Sequence, residues 1–182
     1  MRHVKSGIRF VAGVLAVLVL TSCARGQRTE QAVTFTDPFA YCAAIGTIDA
    51  PDAWYVGPKV PTVIAKGLRA VFGLPATAPL EPFQRATYWR CLGGKVFACA
   101  VGANLPCLEK ANLSRTPTQG MVEFCTTHSN ADNIPAYVTG RATVYLWRCR
   151  EGKPEVVRQV AQPDARGYLA NFWYEIKPVT DP

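Results

Sequence analysis

The sequence predicts an α+β fold: an antiparallel sheet of about five strands with short helices, stapled by three disulfides. Three observations point to it. Strand-like segments cluster after residue 85, while capped helical segments lie before and between them. A strand–turn–strand motif occurs twice. Seven cysteines are present, six of them spread between positions 42 and 149. The 182 residues allow one domain, and 49% hydrophobic with 18% charged residues is ordinary for a globular chain.

Residues 1 to 22 read as a secretion signal. Arg2, His3, Lys5 and Arg9 supply a positive start, and Phe10 to Leu20 an apolar run too short to span a bilayer. Leu20-Thr21-Ser22-Cys23 follows: an aliphatic residue, two small residues, then Cys. This resembles the lipobox of bacterial lipoproteins. The resemblance covers residues 1 to 23 only. It implies that the Cys23 thiol takes a diacylglycerol, that cleavage makes Cys23 the mature N-terminus, and that its amine is acylated. More than one acyl chain makes such an anchor stable. The same resemblance implies that Ala24, next to the Cys, is permissive for the outer membrane. Removing the leader leaves 17 Lys and Arg against 13 Asp and Glu, a net charge of +4. The basic residues are scattered, which argues against a nucleic-acid partner. Residues 24 to 36 are polar and aperiodic, as in a flexible tether. The expected organisation is therefore a signal peptide at 1–22, lipidated Cys and tether at 23–36, and one disulfide-rich domain at 37–178.

Within that domain, Asp37-Pro38 before FAYCAAI and Gly46 mark the cap, first turn and stop of a helix. Pro61 to Phe72 places Ile64, Leu68 and Val71 on one helical face, closed by Gly73 and Pro75. Arg85-Ala-Thr-Tyr-Trp89-Arg-Cys91-Leu-Gly-Gly94-Lys95 recurs as Arg141-Ala-Thr-Val-Tyr-Leu-Trp147-Arg-Cys149-Arg-Glu-Gly152-Lys153. Both read as a strand entering a tight turn, then a second strand. Duplication and convergence on a common hairpin both account for so short an echo. Thr116-Pro117-Thr118-Gln119 resembles a capping box opening a helix with Met121, Val122 and Cys125. Tyr168 to Lys177 is aromatic-rich and reads as a closing strand after a turn at Pro163–Gly167.

An even set of six cysteines in an exported domain argues for disulfides: Cys42, Cys91, Cys99, Cys107, Cys125 and Cys149. Six cysteines allow 15 connectivities. Strand parity removes some. With the turn at Leu92–Lys95, Cys91 lies opposite Val96 and Cys99 opposite Tyr88, so Cys91 and Cys99 face opposite sides and do not pair. The cysteines of the first and third helices, Cys42 and Cys125, are expected to tie those helices to the sheet. Metal binding is not expected, since no CxxC occurs and one His, His128, follows the leader. No cofactor is implied.

No catalytic motif is present. Thr127-His128-Ser129 are sequence neighbours whose side chains diverge, and they read as a helix exit. Glu123, Asp132, Asp164 and Glu175 are candidate acid–base carboxylates that no pattern singles out. The aromatic residues are more informative. Trp89 shares a strand face with Cys91, and Trp147 with Cys149, while Arg90 and Arg148 point the other way. Each Trp then either packs over its own disulfide, or Trp89, Arg90, Trp147 and Arg148 form an exposed surface for a glycan or protein. The expected protein is a non-enzymatic binding module, lipid-anchored in the bacterial envelope and periplasm-facing, on the outer membrane. Its partner is an envelope protein or cell-wall glycan. An envelope hydrolase with a carboxylate pair, or a structural accessory of an outer-membrane assembly, is the alternative.

Overall fold

The computed structural model describes residues 33–102 and 105–178. The signal peptide, Cys23 and residues 24–32 lie outside them. The elements run α1 (Pro38–Ile45), α2 (Thr62–Val71), α3 (Glu81–Arg85), β1 (Thr87–Leu92), β2 (Lys95–Ala100), α4 (Gln119–Thr127), α5 (Ala136–Thr139), β3 (Tyr145–Arg150), β4 (Lys153–Gln159) and β5 (Tyr174–Ile176). Helices and antiparallel strands mix as predicted, but the strands form two sheets. One has the order β1-β2-β5, the other is the hairpin β3-β4. The expected single sheet of about five strands is thus corrected to three plus two. The chain preceding each hairpin covers its outer edge to a different extent. Ile48 pairs with Cys91 beside β1, while Ala131, Ile134 and Asn112 bond along β3 and its N-terminal approach.

Local signals explain both ends of α1 and the start of α4. Asp37 accepts the Phe39 N–H at 2.9 Å, and Gly46 ends α1 at φ 80°. In α2, Ile64 and Leu68 are buried, whereas Val71, expected on the same face, is exposed. The cap of α4 is Thr118, two residues beyond the start of the expected box, and its hydroxyl accepts the Met121 N–H at 3.3 Å. The closing strand shrinks to Tyr174–Ile176, because a 3-10 turn at Ala170–Phe172 interrupts it. Phe35, expected in the tether, already belongs to the fold. It bridges Tyr55 and packs on the first core.

The disulfides are Cys42–Cys91, Cys99–Cys107 and Cys125–Cys149. Cys91 lies opposite Val96 and Tyr88 opposite Cys99, as side-chain parity predicts. Helices α1 and α4 are tied to β1 and β3, as the cysteine positions suggested. Tyr41, Ile64, Leu68, Trp89, Cys91 and Val96 form the core between α1, α2 and the three-stranded sheet. The other face of that sheet carries Cys99, Cys107, Tyr168 and Trp173. Met121, Cys125, Val144, Trp147 and Leu169 form a separate core under β3-β4.

The echo in sequence extends to a repeated three-dimensional unit. In each copy a helix cysteine bonds the WRC cysteine of the hairpin. In each, the carbonyl four residues past the helix cysteine accepts the hairpin-turn N–H: Gly46 from Gly94 at 2.7 Å, Ser129 from Gly152 at 3.0 Å. In each, the carbonyl six residues past it accepts the strand-cysteine N–H: Ile48 from Cys91 at 3.0 Å, Ala131 from Cys149 at 2.8 Å. Both turns use two left-handed residues, Gly93 and Gly94 at φ 58° and 78°, and Glu151 and Gly152 at φ 50° and 77°. Convergence of two hairpins explains the turns but not the matching helix, disulfide and contacts, so the correspondence favours duplication.

Candidate functional site

The surface expected from Trp89, Arg90, Trp147 and Arg148 does not form. Trp89, Arg90 and Trp147 are buried, and only Arg148 reaches solvent, paired with Glu155 on the neighbouring strand. Trp89 donates through Nε1 to the Lys59 carbonyl at 2.8 Å and packs edge-on to Tyr55. Trp147 lies in the second core beside Cys149. Arg90 does face away from Trp89 and Cys91, as parity requires. That face, however, is roofed by the segment that includes Tyr168 and Trp173. The guanidinium sits 4.4 Å and 4.1 Å from those ring centroids and pairs with Asp164. The segment folds over the sheet instead of extending it, which is why the sequence pattern missed the burial.

The candidate carboxylates do not gather. Asp164 is held by Arg90, Glu175 by Lys95 at 3.0 Å, and Glu123 accepts from Gln119 on the α4 surface at 2.7 Å. Asp132 is exposed on the loop after α4. His128 stacks on Phe124, and its Nδ1 lies 3.1 Å from the Phe124 carbonyl at the helix exit. Among the described residues, no cluster of three His, Cys, Asp or Glu could hold a metal.

A cleft of about 460 Å³ lies beside β1. One wall is the start of the strand, Thr87 to Trp89. The other is the chain from Asp49 to Lys59, and Leu108 closes an end. A shallower groove continues from it, sharing Tyr88 and Leu108 and reaching Val101 and Leu105. Tyr88 is 38% exposed and Leu108 61%, so the shared rim is apolar and open. Deeper in, the hydroxyls of Thr87 and Tyr55 are buried without a hydrogen-bond partner among the described residues. Tyr55 lies against Gly57, where an added Cβ would come within 2.3 Å of its hydroxyl oxygen. Burial, and then the charge of Asp37, push the Tyr55 phenol up from its ordinary value.

Both carboxylates of the cleft are committed to internal partners. Asp52 accepts from the Tyr41 hydroxyl at 3.1 Å and the Trp54 N–H at 3.0 Å. Asp49 accepts from Arg166 at 2.9 and 3.0 Å and from Lys110 at 3.3 Å. The Arg166 hydrogen bonds chiefly hold its carboxyl down at about 2, with burial opposing and Lys110 assisting. Because this folded pKa is depressed, the stabilisation is present above roughly pH 4, the ordinary Asp range, and is lost as pH falls through about 2. Asp49→Asn should therefore melt below the parent at neutral pH. The difference should close between about pH 4 and 2 in thermal unfolding of the two proteins.

Sequence reasoning did not single out Asp49, Asp52, Tyr55, Thr87 or Leu108 as site residues. They share no motif. The signal that could have found them is the alignment of the two repeats around Cys42 and Cys125, which exposes Pro51 as a point of difference. No protein-family model, curated protein or solved structure matches this chain.

Proposed function

We propose that this protein is a lipid-anchored lipoprotein of the bacterial envelope, held by Cys23 and probing its surroundings through the cleft beside β1. It acts as a binding module for an envelope protein or cell-wall glycan. The observation that carries the reading is the cleft itself: an open, mainly apolar groove whose rim exposes Tyr88 and Leu108. Its two carboxylates are engaged by Tyr41, Trp54, Lys110 and Arg166 and are not free to act as acid and base, which favours binding over hydrolysis. The lipobox supports the anchor. Six paired cysteines suit an oxidising compartment. Among the described residues no helix is long and apolar enough to cross a membrane.

A photoreactive side chain placed at Leu108 in intact cells tests this. It should give a discrete adduct, whereas the same group at the exposed Tyr137 of α5 should not. Protease or muramidase digestion then tells a protein partner from a glycan. The absence of any adduct from Leu108, or an equal pattern from Tyr137, would remove the cleft as the binding site.

A further inference from the structure

The two repeats differ at the outer edge of their first strand. In the second, preceding chain covers that edge at three residues. Cys149 donates to Ala131, the Ile134 N–H donates to the Trp147 carbonyl at 2.8 Å, and the Val144 N–H donates to Asn112 at 3.1 Å. In the first, among the described residues only Cys91 is paired, exchanging both main-chain bonds with Ile48 at 3.0 Å. The reason is in the sequence. Ile134 stands nine residues after Cys125, and nine residues after Cys42 stands Pro51. Proline has no N–H to give to the Trp89 carbonyl. The chain instead peels away, and Pro51 lines the far wall of the cleft.

Strand parity fixes what faces that space. The Cys91 N–H points outward to Ile48, so the N–H and C=O groups of Trp89 and Thr87, two and four residues back, also point outward, away from β2. No bond to them is formed among the described residues. Thr87, Tyr88 and Trp89 all line the cleft. The cleft is therefore an open sheet edge carrying four main-chain groups, flanked by the exposed apolar side chains of Tyr88 and Leu108.

We infer that this edge takes an extended peptide segment of a partner protein, added as a strand alongside Thr87–Trp89. The inference deepens the binding reading and rests on it. The second repeat supplies the template, since there the same edge is covered by main chain that buries an apolar side chain, Ile134. About three extended residues, at roughly 3.3 Å each, match the open length. Alternate side chains of such a segment would meet the Tyr88–Leu108 rim, and main-chain bonds would supply sequence-tolerant affinity. A glycan lacks the alternating donors and acceptors that the edge presents.

The test selects linear peptides from a random library on the full chain in detergent, then N-methylates each amide of a selected peptide in turn. Every second methylation should weaken binding by about tenfold, because it removes one main-chain bond. The intervening positions should have little effect. Leu108→Glu, an exposed rim change, should weaken all selected peptides. Methylation without this alternation, combined with sensitivity to Leu108→Glu, would overturn strand addition while leaving the cleft a binding site. Selected peptides indifferent to Leu108→Glu, or no peptide selected at all, would also overturn it; the Leu108 photoadduct reports separately on the binding reading. Peptide binding that appears only after residues 24–31 are removed would assign the edge to the chain's own segment. A dimer in sedimentation that Leu108→Glu dissociates would assign it to a second copy. Either result overturns the partner segment.

Discussion

Asp164→Ala should lower the unfolding free energy by about 3–5 kcal/mol, the range for stripping the partner from a buried ion pair. Arg90 is fully buried, and its guanidinium lies between Tyr168 and Trp173. Among the described residues its Nε and Nη1 have no partner, and the Asp164 carboxylate is the one counter-charge it meets. The same carboxylate accepts the Arg166 and Tyr168 N–H groups at 2.8 and 3.1 Å and shapes the turn. Asp164→Asn separates the two roles, because its amide oxygen can keep the turn while the counter-charge is lost. It should fall between the parent and the Ala variant. The double change Arg90→Leu with Asp164→Asn should recover much of the loss, since replacing a buried pair with apolar volume is often near neutral. Urea unfolding of the four proteins gives these differences directly. A cost below about 1 kcal/mol for Asp164→Ala would match an exposed pair, and Arg90 would then not be held as described.

Removing the Cys42–Cys91 bridge by paired Cys→Ala substitution should cost about 4 kcal/mol. The chain-entropy contribution grows with the closed loop, and the separations are 49, 24 and 8 residues for Cys42–Cys91, Cys125–Cys149 and Cys99–Cys107. The expected order of loss is therefore about 4, about 3.5 and about 2.5 kcal/mol. The first bridge also holds α1 on β1, where Tyr41 packs against Trp89 and Tyr55. Its loss should loosen the wall of the cleft as well as the fold. Denaturant melts of the three paired variants check the order. A Cys99–Cys107 variant less stable than the Cys42–Cys91 variant would show that packing around the short loop outweighs chain entropy.

What the sequence made legible was local. Asp37, Gly46 and the Gly93-Gly94 turn act on their own neighbours, and the structure uses them as the pattern implies. The hairpin register followed from side-chain alternation, and with it the exclusion of a Cys91–Cys99 bridge. What was not legible depended on distant chain. Arg90 reads as a surface residue until Tyr168 and Trp173 arrive from about eighty residues away to cover it. The closing segment reads as one strand because its aromatic content fits a sheet, yet Ala170–Phe172 turns to carry Trp173 over that face. The hairpins read as one sheet because alternation does not record whether an edge is already taken. The cleft was hidden for a related reason. It arises from a bond that Pro51 cannot make, and such an omission shows only when the second repeat is laid beside the first.

Amide hydrogen exchange at β1 tests the open edge most directly. The Cys91 amide, bonded to Ile48, should be protected, while those of Trp89 and Thr87, on the same strand and pointing the same way, should exchange far faster. Protection of the Trp89 amide equal to that of Cys91 would mean the edge is already closed, and would contradict the site on which this account rests.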